Sequence, residues 1–574
     1  MDVLFYQPHN KFWNQTLVFQ NLIKNTNKNI KVLTCNGVLK NHCMVFNAKK
    51  LPINGDKLKK KSICNICISN KEVYKKFNKN INFIDIDNLV SNSEHLEIKK
   101  HIEKINKNNY KEFEIDNVKL GIIATHDVIL IQKLNNIISL EENYWEEYLS
   151  VLTSSLISFY GIKNFIKKNP TDKVITFNNL YCTNRVIAKY TEQKNILNYN
   201  MSTGFAIAGQ SLQFLKLTEG VKSGLNFDCL KYWNENNNEI NLNDDFKKLI
   251  IDHYDSLFNA KHYLNYSKPR NKEFIKKFKD KKYDKTILVG LSGDDEDVCL
   301  EESGIDIVYS HHFKRIFKNQ KDWIKNLLDF IRFDKNNLYI IRPHPRDWPD
   351  KTRSFVESDN YKNYKNLFND SSLPKNVIIN SPADNVSVYD FMEICDLLLV
   401  YRSSIAVDFG MMGIPVICSD LSLSLHPMYS DTLYENKDEY FSLLKNKQLF
   451  NKNLKSAEHY IRWFIYSNIL DTLDLRKTFK KSEVNNIRNN TYKVIEKILE
   501  RLKIQYLKTN ELRQIKENNL VNNNLKKLLE KNLKSLVYTY SEDEDKYDFD
   551  LNLKRCNRMI KLIKEKFHIT LSSG

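Results

Sequence analysis

Three short stretches of this chain set phosphate-binding side chains at the end of an apolar run. In Leu338–Pro349, LYIIRPHPRDWP, the run stops at Pro343-His344-Pro345, with Arg342 and Arg346 on either side. The prolines restrict the backbone around His344 and present its imidazole from a stiff loop. An imidazole can donate a hydrogen bond to a leaving phosphate oxygen, and a guanidinium offers the same group a planar fork. In Asp396–Ile417, DLLLVYRSSIAVDFGMMGIPVI, the run ends at Tyr401 and Arg402-Ser403-Ser404 opens a helix. Serines there cap free N–H groups, and the hydroxyls and N–H groups together suit an anion. Asp408 lies four residues beyond Ser404, on the same helix face, where its carboxylate suits ribose hydroxyls. In Leu288–Val298, LVGLSGDDEDV, Ser292 and Gly293 make a small-residue turn that lets a ligand approach the backbone. Asp294 and Asp295 follow, able to orient an acceptor or act as base, although most of the run Asp294–Asp297 also reads as solvated loop charge. Taken singly, the first two stretches also read as a surface histidine in a turn and as plain helix capping. Two strand ends in one sheet, each carrying phosphate-binding groups, are less ordinary.

A separate signal is Cys35, Cys43, Cys64 and Cys67, in TCNGVLKNHC and CNIC. Four thiols ending in a C-x2-C pair suit a structural zinc or an iron–sulfur cluster. Thiols scattered around a loop fit equally well, because the first spacing is loose.

Strands and helices must position these groups. Short apolar runs recur at Val3–Tyr6, Ile30–Thr34, Asn82–Ile86, Leu120–Ala124 and Val174–Phe177. They recur again at Thr286–Leu291, Ile305–Tyr309, Leu338–Ile341, Val377–Ile379, Leu397–Tyr401 and Pro415–Cys418. Their length and β-branched content predict buried parallel strands, with helices such as Lys321–Phe333 between them. Alternation of this kind predicts a doubly wound α/β sheet, here twice. The charged stretch Ser267–Lys285 marks a boundary. The expected units are a first Rossmann-like domain over 1–275, a second over 276–475, and a helical extension over 476–574. The extension shows helical Leu/Ile spacing from Ile495 to Leu536 without heptad phase, and is interrupted by the acidic run Ser541–Asp550.

The chain has 574 residues, too many for one core, and 42% of them are hydrophobic. The formal charge of +18 suits an anionic partner. Lys and Asn are spread throughout with no basic stripe among aromatics, which argues against nucleic acid. No apolar run approaches the ~20 residues of a bilayer span, and the start has no signal-peptide pattern. The expected location is the cytoplasm, with peripheral contact to the inner face of a membrane.

The three stretches together resemble bacterial capsule and surface-polysaccharide glycosyltransferases of the GT-B type. There a Ser/Gly-acidic turn, a His-Pro loop and a Ser-Ser helix start recur in this order. The His-Pro and Ser-Ser pair is similar to the donor-phosphate site of bacterial sialyl- and Kdo-type transferases, which use CMP-sugars. The resemblance covers about Lys285–Asp420 and, more weakly, Phe177–Arg185 and Tyr199–Ala206. It implies a GT-B fold and transfer from a nucleotide-sugar, a CMP-sugar first, to a surface glycan, lipid-linked or protein acceptor. His344, Ser403 and Ser404 would hold the donor phosphate, with Asp408 near the nucleotide sugar. No DXD-like metal motif stands in a convincing strand-end position, so no cofactor is expected for catalysis. The Ser-Ser pattern also resembles CDP-glycerol polyol-phosphate transferases. That alternative needs a second histidine, for which His9, His126 and His311 stand as candidates. A non-catalytic glycan-assembly protein of the same fold is the remaining alternative.

Overall fold

The computed structural model describes residues 2–6, 29–49, 51–77, 81–203, 214–221, 227–236, 240–261, 268–275, 278, 282–308, 312–348, 356–368, 373–384, 386–424, 426–475, 519–539 and 547–569. His9 and His311 lie outside them, as does 476–518, which carries much of the expected tail pattern.

The β-branched runs form two doubly wound sheets. The first contains β1 (Asp2–Tyr6), β2 (Asn29–Thr34), β3 (Asn82–Asp85), β4 (Lys173–Phe177), β5 (Leu197–Thr203) and β6 (Phe214–Glu219). The second contains β7 (Lys285–Gly290), β8 (Asn337–Arg342), β9 (Val377–Ile379), β10 (Leu397–Val400) and β11 (Val416–Cys418). The first sheet has seven strands because a late strand, β12 (Leu473–Asp474), returns to it. Its order is β12-β6-β5-β4-β1-β2-β3, and the second sheet runs β11-β10-β7-β8-β9. In the second sheet every pairing is parallel, with Leu288 opposite Leu398 on one side and Ile340 on the other. Both faces of β10, β11 and most of β7 and β8 are buried, which explains their unbroken apolar runs, while the edge strand β9 is half-buried.

The chain is thus an α/β protein of two Rossmann-like domains, the architecture of the GT-B class. Residues just past the carboxyl ends of strands tie the domains together. Arg185, following β4 and only 1% exposed, donates from Nη1 to the Ser303 carbonyl (3.0 Å) and Oγ (2.8 Å). Arg346, following β8, donates from Nη2 to the Leu130 carbonyl at 3.0 Å. Lys133 returns the contact, its Nζ donating to the Arg346 carbonyl at 2.6 Å.

Two expected strands form otherwise. Leu120–Ala124 is the start of a 13-residue helix, Leu120–Gln132, buried nearly all round. Periodicity does not separate a short buried strand from a buried helix. The described part of Ile305–Tyr309, 305–308, follows a helix without joining a sheet. The helix Trp145–Lys168 is long and apolar enough to cross a membrane by length and composition, and most of it is buried inside the protein.

The chain passes from the first sheet to the second between β6 and β7, an interval that contains the boundary expected at 275, and it has returned to the first sheet through β12 before 475. Helix Asp244–Phe258 already packs against the second domain, its Tyr254 hydroxyl donating to the Asp408 carbonyl at 2.6 Å. The described tail belongs to the body. Helix Asn519–Glu530 and the turn after it cover one face of the first sheet, where Leu525, Leu528, Leu529 and Leu536 join Val3, Phe5 and Val32. The Tyr199 hydroxyl lies 3.3 Å from the Leu528 carbonyl and 3.1 Å from that of Leu533. The last helix, Phe549–Lys566, packs beside Leu454–Ile465 and Asp244–Phe258.

The described part of the tail therefore supplies core. Leu528→Ala should cost about 2–5 kcal/mol, the scale of a buried leucine truncation. Denaturant unfolding of the full chain checks this, and a change under ~1 kcal/mol would show that the helix does not pack as described.

Candidate functional site

The three chemistry-bearing loops leave the three central strands of the second sheet. β10, β7 and β8 are neighbours, so the loops at Arg402–Ser404, Ser292–Asp297 and Pro343–Asp347 share one carboxyl edge. The chain order reverses between β7 and β10, which is where open α/β sheets form their ligand crevice. Hydrogen bonds lock the loops together there. Ser292 Oγ donates to the Arg402 carbonyl (2.5 Å) and accepts from the Arg402 N–H (3.1 Å). Gln320 clamps the same serine, accepting its N–H at 2.7 Å and donating to its carbonyl at 2.8 Å.

His344 is half-buried, and its Nδ1 accepts the Arg346 backbone N–H at 3.2 Å. In the neutral ring the proton must then sit on Nε2. Burial lowers its pKa to about 4, with Arg346 and Arg342 adding to the shift and Glu296 opposing it. The expected exposed, partly cationic imidazole is thus a neutral, positioned N–H donor.

Neither flanking arginine reaches out as a fork. Arg342 is buried beneath the loop, bonded to Asn380 Oδ1 and to the Val386 carbonyl at 3.2 Å. Burial lowers its pKa to about 10. Arg346 pairs with Asp295 (2.5 Å) and Glu296 (2.7 Å), besides its tie to Leu130. Buried carboxylates and carbonyls such as those of Asp295, Asn380 and Val386 need donors more than open solvent does.

The acidic run is likewise turned inward. Asp294 accepts from Gln320 at 2.6 Å and, with the Asn360 amide correctly turned, from Asn360 at 3.0 Å. Asp297 pairs with Arg402, and burial raises its pKa to about 6 against that pairing. Glu296 remains exposed. Asp294 and Asp295, expected as catalytic, are held by protein partners. Gly293 earns its small size: a Cβ there would sit 3.1 Å from Asp295 Oδ1.

Ser403 is half-buried and Ser404 exposed. The expected cap does not form. Ser404 already has helical angles (φ −64°, ψ −19°), its side chain accepts no N–H, and the helix Ile405–Gly410 has six residues. The hydroxyls, rather than a long helix dipole, are what this loop offers. Asp408 does not face a ribose. Its Oδ1 meets His253 Nε2 at 2.8 Å and its Oδ2 accepts the Tyr389 hydroxyl at 3.0 Å, all three buried.

The four early cysteines do not assemble as a ligand set. Cys43, Cys64 and Cys67 pack around a small apolar cluster of Val45, Phe46, Leu51 and Ile63. Burial pushes the Cys35 thiol up to about 12 and that of Cys64 to about 11. The four thiols nonetheless lie within electrostatic reach of one another, each of Cys35, Cys43 and Cys64 being raised in part by its neighbouring cysteines. Among the described residues the close group is another one, His42, Asp127 and Cys182. Asp127 accepts at Oδ2 from His42 (2.7 Å) and the Cys182 thiol (3.1 Å). At Oδ1 it accepts from His126 (2.7 Å) and the Cys182 N–H (3.0 Å). Burial opposes the charge on Asp127, but the hydrogen bonds from His126 and His42 outweigh it and hold the carboxyl low. This cluster lies past the first sheet's strand ends. Sequence reasoning noted His126 and missed His42 and Cys182, which lie 84 and 56 residues away in the chain.

The chain matches no protein-family model and no curated protein. Among solved structures, a putative UDP-N-acetylglucosamine 2-epimerase from Listeria monocytogenes is 8% identical, over 82% of this chain and 94% of that one, with a TM-score of 0.28. A glycosyltransferase from Rickettsia africae is 11% identical over 85% and 99%, TM-score 0.28. The glycosyltransferase VinC in complex with dTDP is 9% identical over 85% and 100%, TM-score 0.23. At scores this low the likeness adds nothing to what the strand order itself shows.

Burial also lowers His426 to about 3 and His459 to about 4. The unfolded value is about 6.5, so the folded state binds fewer protons between those limits. Their contribution is complete above pH ~6.5 and is lost as pH falls toward the folded values; Asp297 acts with the opposite sign. Replacing His426 by Gln should therefore flatten the fall of Tm between pH 6.5 and 4.5. Melting curves across that range check it, and an unchanged slope would refute the assignment.

Proposed function

We propose that this chain is a nucleotide-sugar-dependent glycosyltransferase, with a CMP-sugar as the favoured donor and a surface glycan, lipid-linked or protein acceptor. The observation that carries the reading is the meeting of the His344 loop, the Ser403-Ser404 loop and the Ser292-Gly293 turn beside the β7/β10 switch point. In this reading the sugar donor's phosphate lies against the Ser403 and Ser404 hydroxyls and the Nε2–H of His344. As the acceptor hydroxyl attacks the anomeric carbon and gives its proton to a base from the first domain, the bond from that carbon to the phosphate oxygen breaks. Negative charge grows on the leaving phosphate, and a prepositioned neutral N–H stabilises it without reorganising. These side chains, rather than a metal ion, would meet that charge. Arg342, Asn380 and Gln320 would act beneath the site by holding the loops. The setting proposed is the cytoplasm, at the inner face of a membrane.

One observation favours a second reading, polyol-phosphate transfer from a CDP-polyol. That chemistry calls for a histidine in the first domain, and His126 is held there by Asp127 at 2.7 Å. A non-catalytic role would leave neither reaction detectable.

His344→Ala should lower turnover of the sugar donor by about 10²–10³, the scale of losing one oxyanion donor. Ser404→Ala should act in the same direction more weakly. A thermal-shift panel of CMP, CDP, UDP and GDP should find CMP raising Tm most, because a ligand bound to the native state stabilises it. Wild-type turnover in His344→Ala, with an unaltered melting temperature, would remove the site assignment. Turnover of CDP-glycerol in place of any nucleotide-sugar would select the second reading.

A further inference from the structure

We propose that the space beside Gly293 binds one hard divalent cation, held by the carboxylates of Asp347 and Asp295. Asp347 is 1% exposed, and its carboxylate has the Asn360 amide beside it but no ion pair among the described residues. Asp295 is also 1% exposed; Arg346 takes its Oδ2, while its Oδ1 has no partner. The two carboxylates converge. A Cβ built on Gly293 would lie 3.1 Å from Asp295 Oδ1 and 3.6 Å from Asp347 Oδ1, so both oxygens border the same space. Donors near it are already shared. The Asn360 amide meets Asp294 through both its ends at 3.0 Å and is thus shared between Asp294 and Asp347, and Gln320 Nε2 is shared among Ser292, Asp294 and Tyr364.

Asp295 and Asp347 thus share one guanidinium, that of Arg346, which also serves Glu296 and Leu130. A buried carboxylate short of counter-charge is strongly unfavourable, so the space should hold positive charge. Its ligand atoms are carboxylate oxygens. That selects a hard cation of the Mg²⁺ or Mn²⁺ kind, which binds through one or two carboxylates and keeps waters, over zinc with its nitrogen and sulfur preference. Such an ion would pin the His344 loop, through Asp347, to the start of the helix Asp294–Glu302. It need not touch the reacting phosphate, and the inference does not rest on the proposed reaction.

The test uses full-length protein stripped with chelator and titrated with Mn²⁺ at pH 7.5, following the free-ion electron paramagnetic resonance signal. About one Mn²⁺ per chain is expected, displaced by Mg²⁺. Asp347→Asn and Asp295→Asn should each weaken binding by at least about tenfold, since losing even an outer-shell partner of a metal commonly costs that much. Asp329→Asn, on an exposed helix face, should bind as wild type. Circular dichroism and Tm verify that the near-isosteric variants fold. Three results would overturn the proposal. One is wild-type protein that takes up no Mn²⁺. Another is uptake indifferent to both core variants. The third is an Asp347→Asn protein that melts higher than wild type at every Mn²⁺ concentration, which would show that the space holds a proton.

Discussion

The neutralisation of one acidic turn organises the second domain. Asp294, Asp295, Glu296 and Asp297 open a helix at the carboxyl edge of β7, and three of the four are drawn out of full solvent contact. Charge cannot be buried there unpaired, so each neighbouring loop sends an arginine. Arg402 comes from the β10 loop to Asp297, and Arg346 from the β8 loop to Asp295 and Glu296. The three loops are consequently fixed relative to one another before any ligand arrives. This is the preorganisation a phosphate site needs, because groups already held in place cost no reordering when charge develops.

The same arginine extends the constraint across the domains. Arg346 donates to Leu130 at the end of the first domain's helix Leu120–Gln132, while Lys133, just beyond it, donates to Arg346's own carbonyl. Lys133 can do so because it leaves the helix in the left-handed region at φ +54°, turning its backbone toward the second domain. Its carbonyl accepts the Asp359 N–H at 3.2 Å as well. The loop that carries His344 is therefore sensitive to how the two domains sit against each other. Substrate-dependent domain movement would be transmitted to His344 through two side chains rather than through a long chain of contacts.

What was legible in the sequence was local. The apolar runs marked β7, β8, β9, β10 and β11, and the punctuation after them marked the three loops, because strand length, proline and small residues act over a few positions. The partners of the charged residues were not legible. Asp408 lies on the face expected for a ribose contact, yet His253 and Tyr389 claim it from 155 and 19 residues away. Arg342 was read as a phosphate fork, but it ends a strand whose register points it to Asn380. The return of β12 to the first sheet rests on two residues, Leu473 and Asp474, too few to show periodicity.

The hydrogen bond from the Arg346 N–H to His344 Nδ1 decides what kind of acid–base group this loop can present. A histidine near pKa 6.5 could be cationic or neutral, and either nitrogen could carry the proton. Burial removes the first freedom by disfavouring the cation, and the backbone N–H removes the second by occupying Nδ1. What remains is a neutral ring with one donor, Nε2–H, whose direction is set by a proline-bounded loop. Such a group stabilises an oxygen that gains charge without releasing its own proton, because a phosphate leaving group is itself weakly basic. The site is therefore better matched to a phosphate that departs as an anion than to a leaving group that must be protonated. That match, more than the presence of a histidine as such, connects the geometry to transfer from an activated nucleotide.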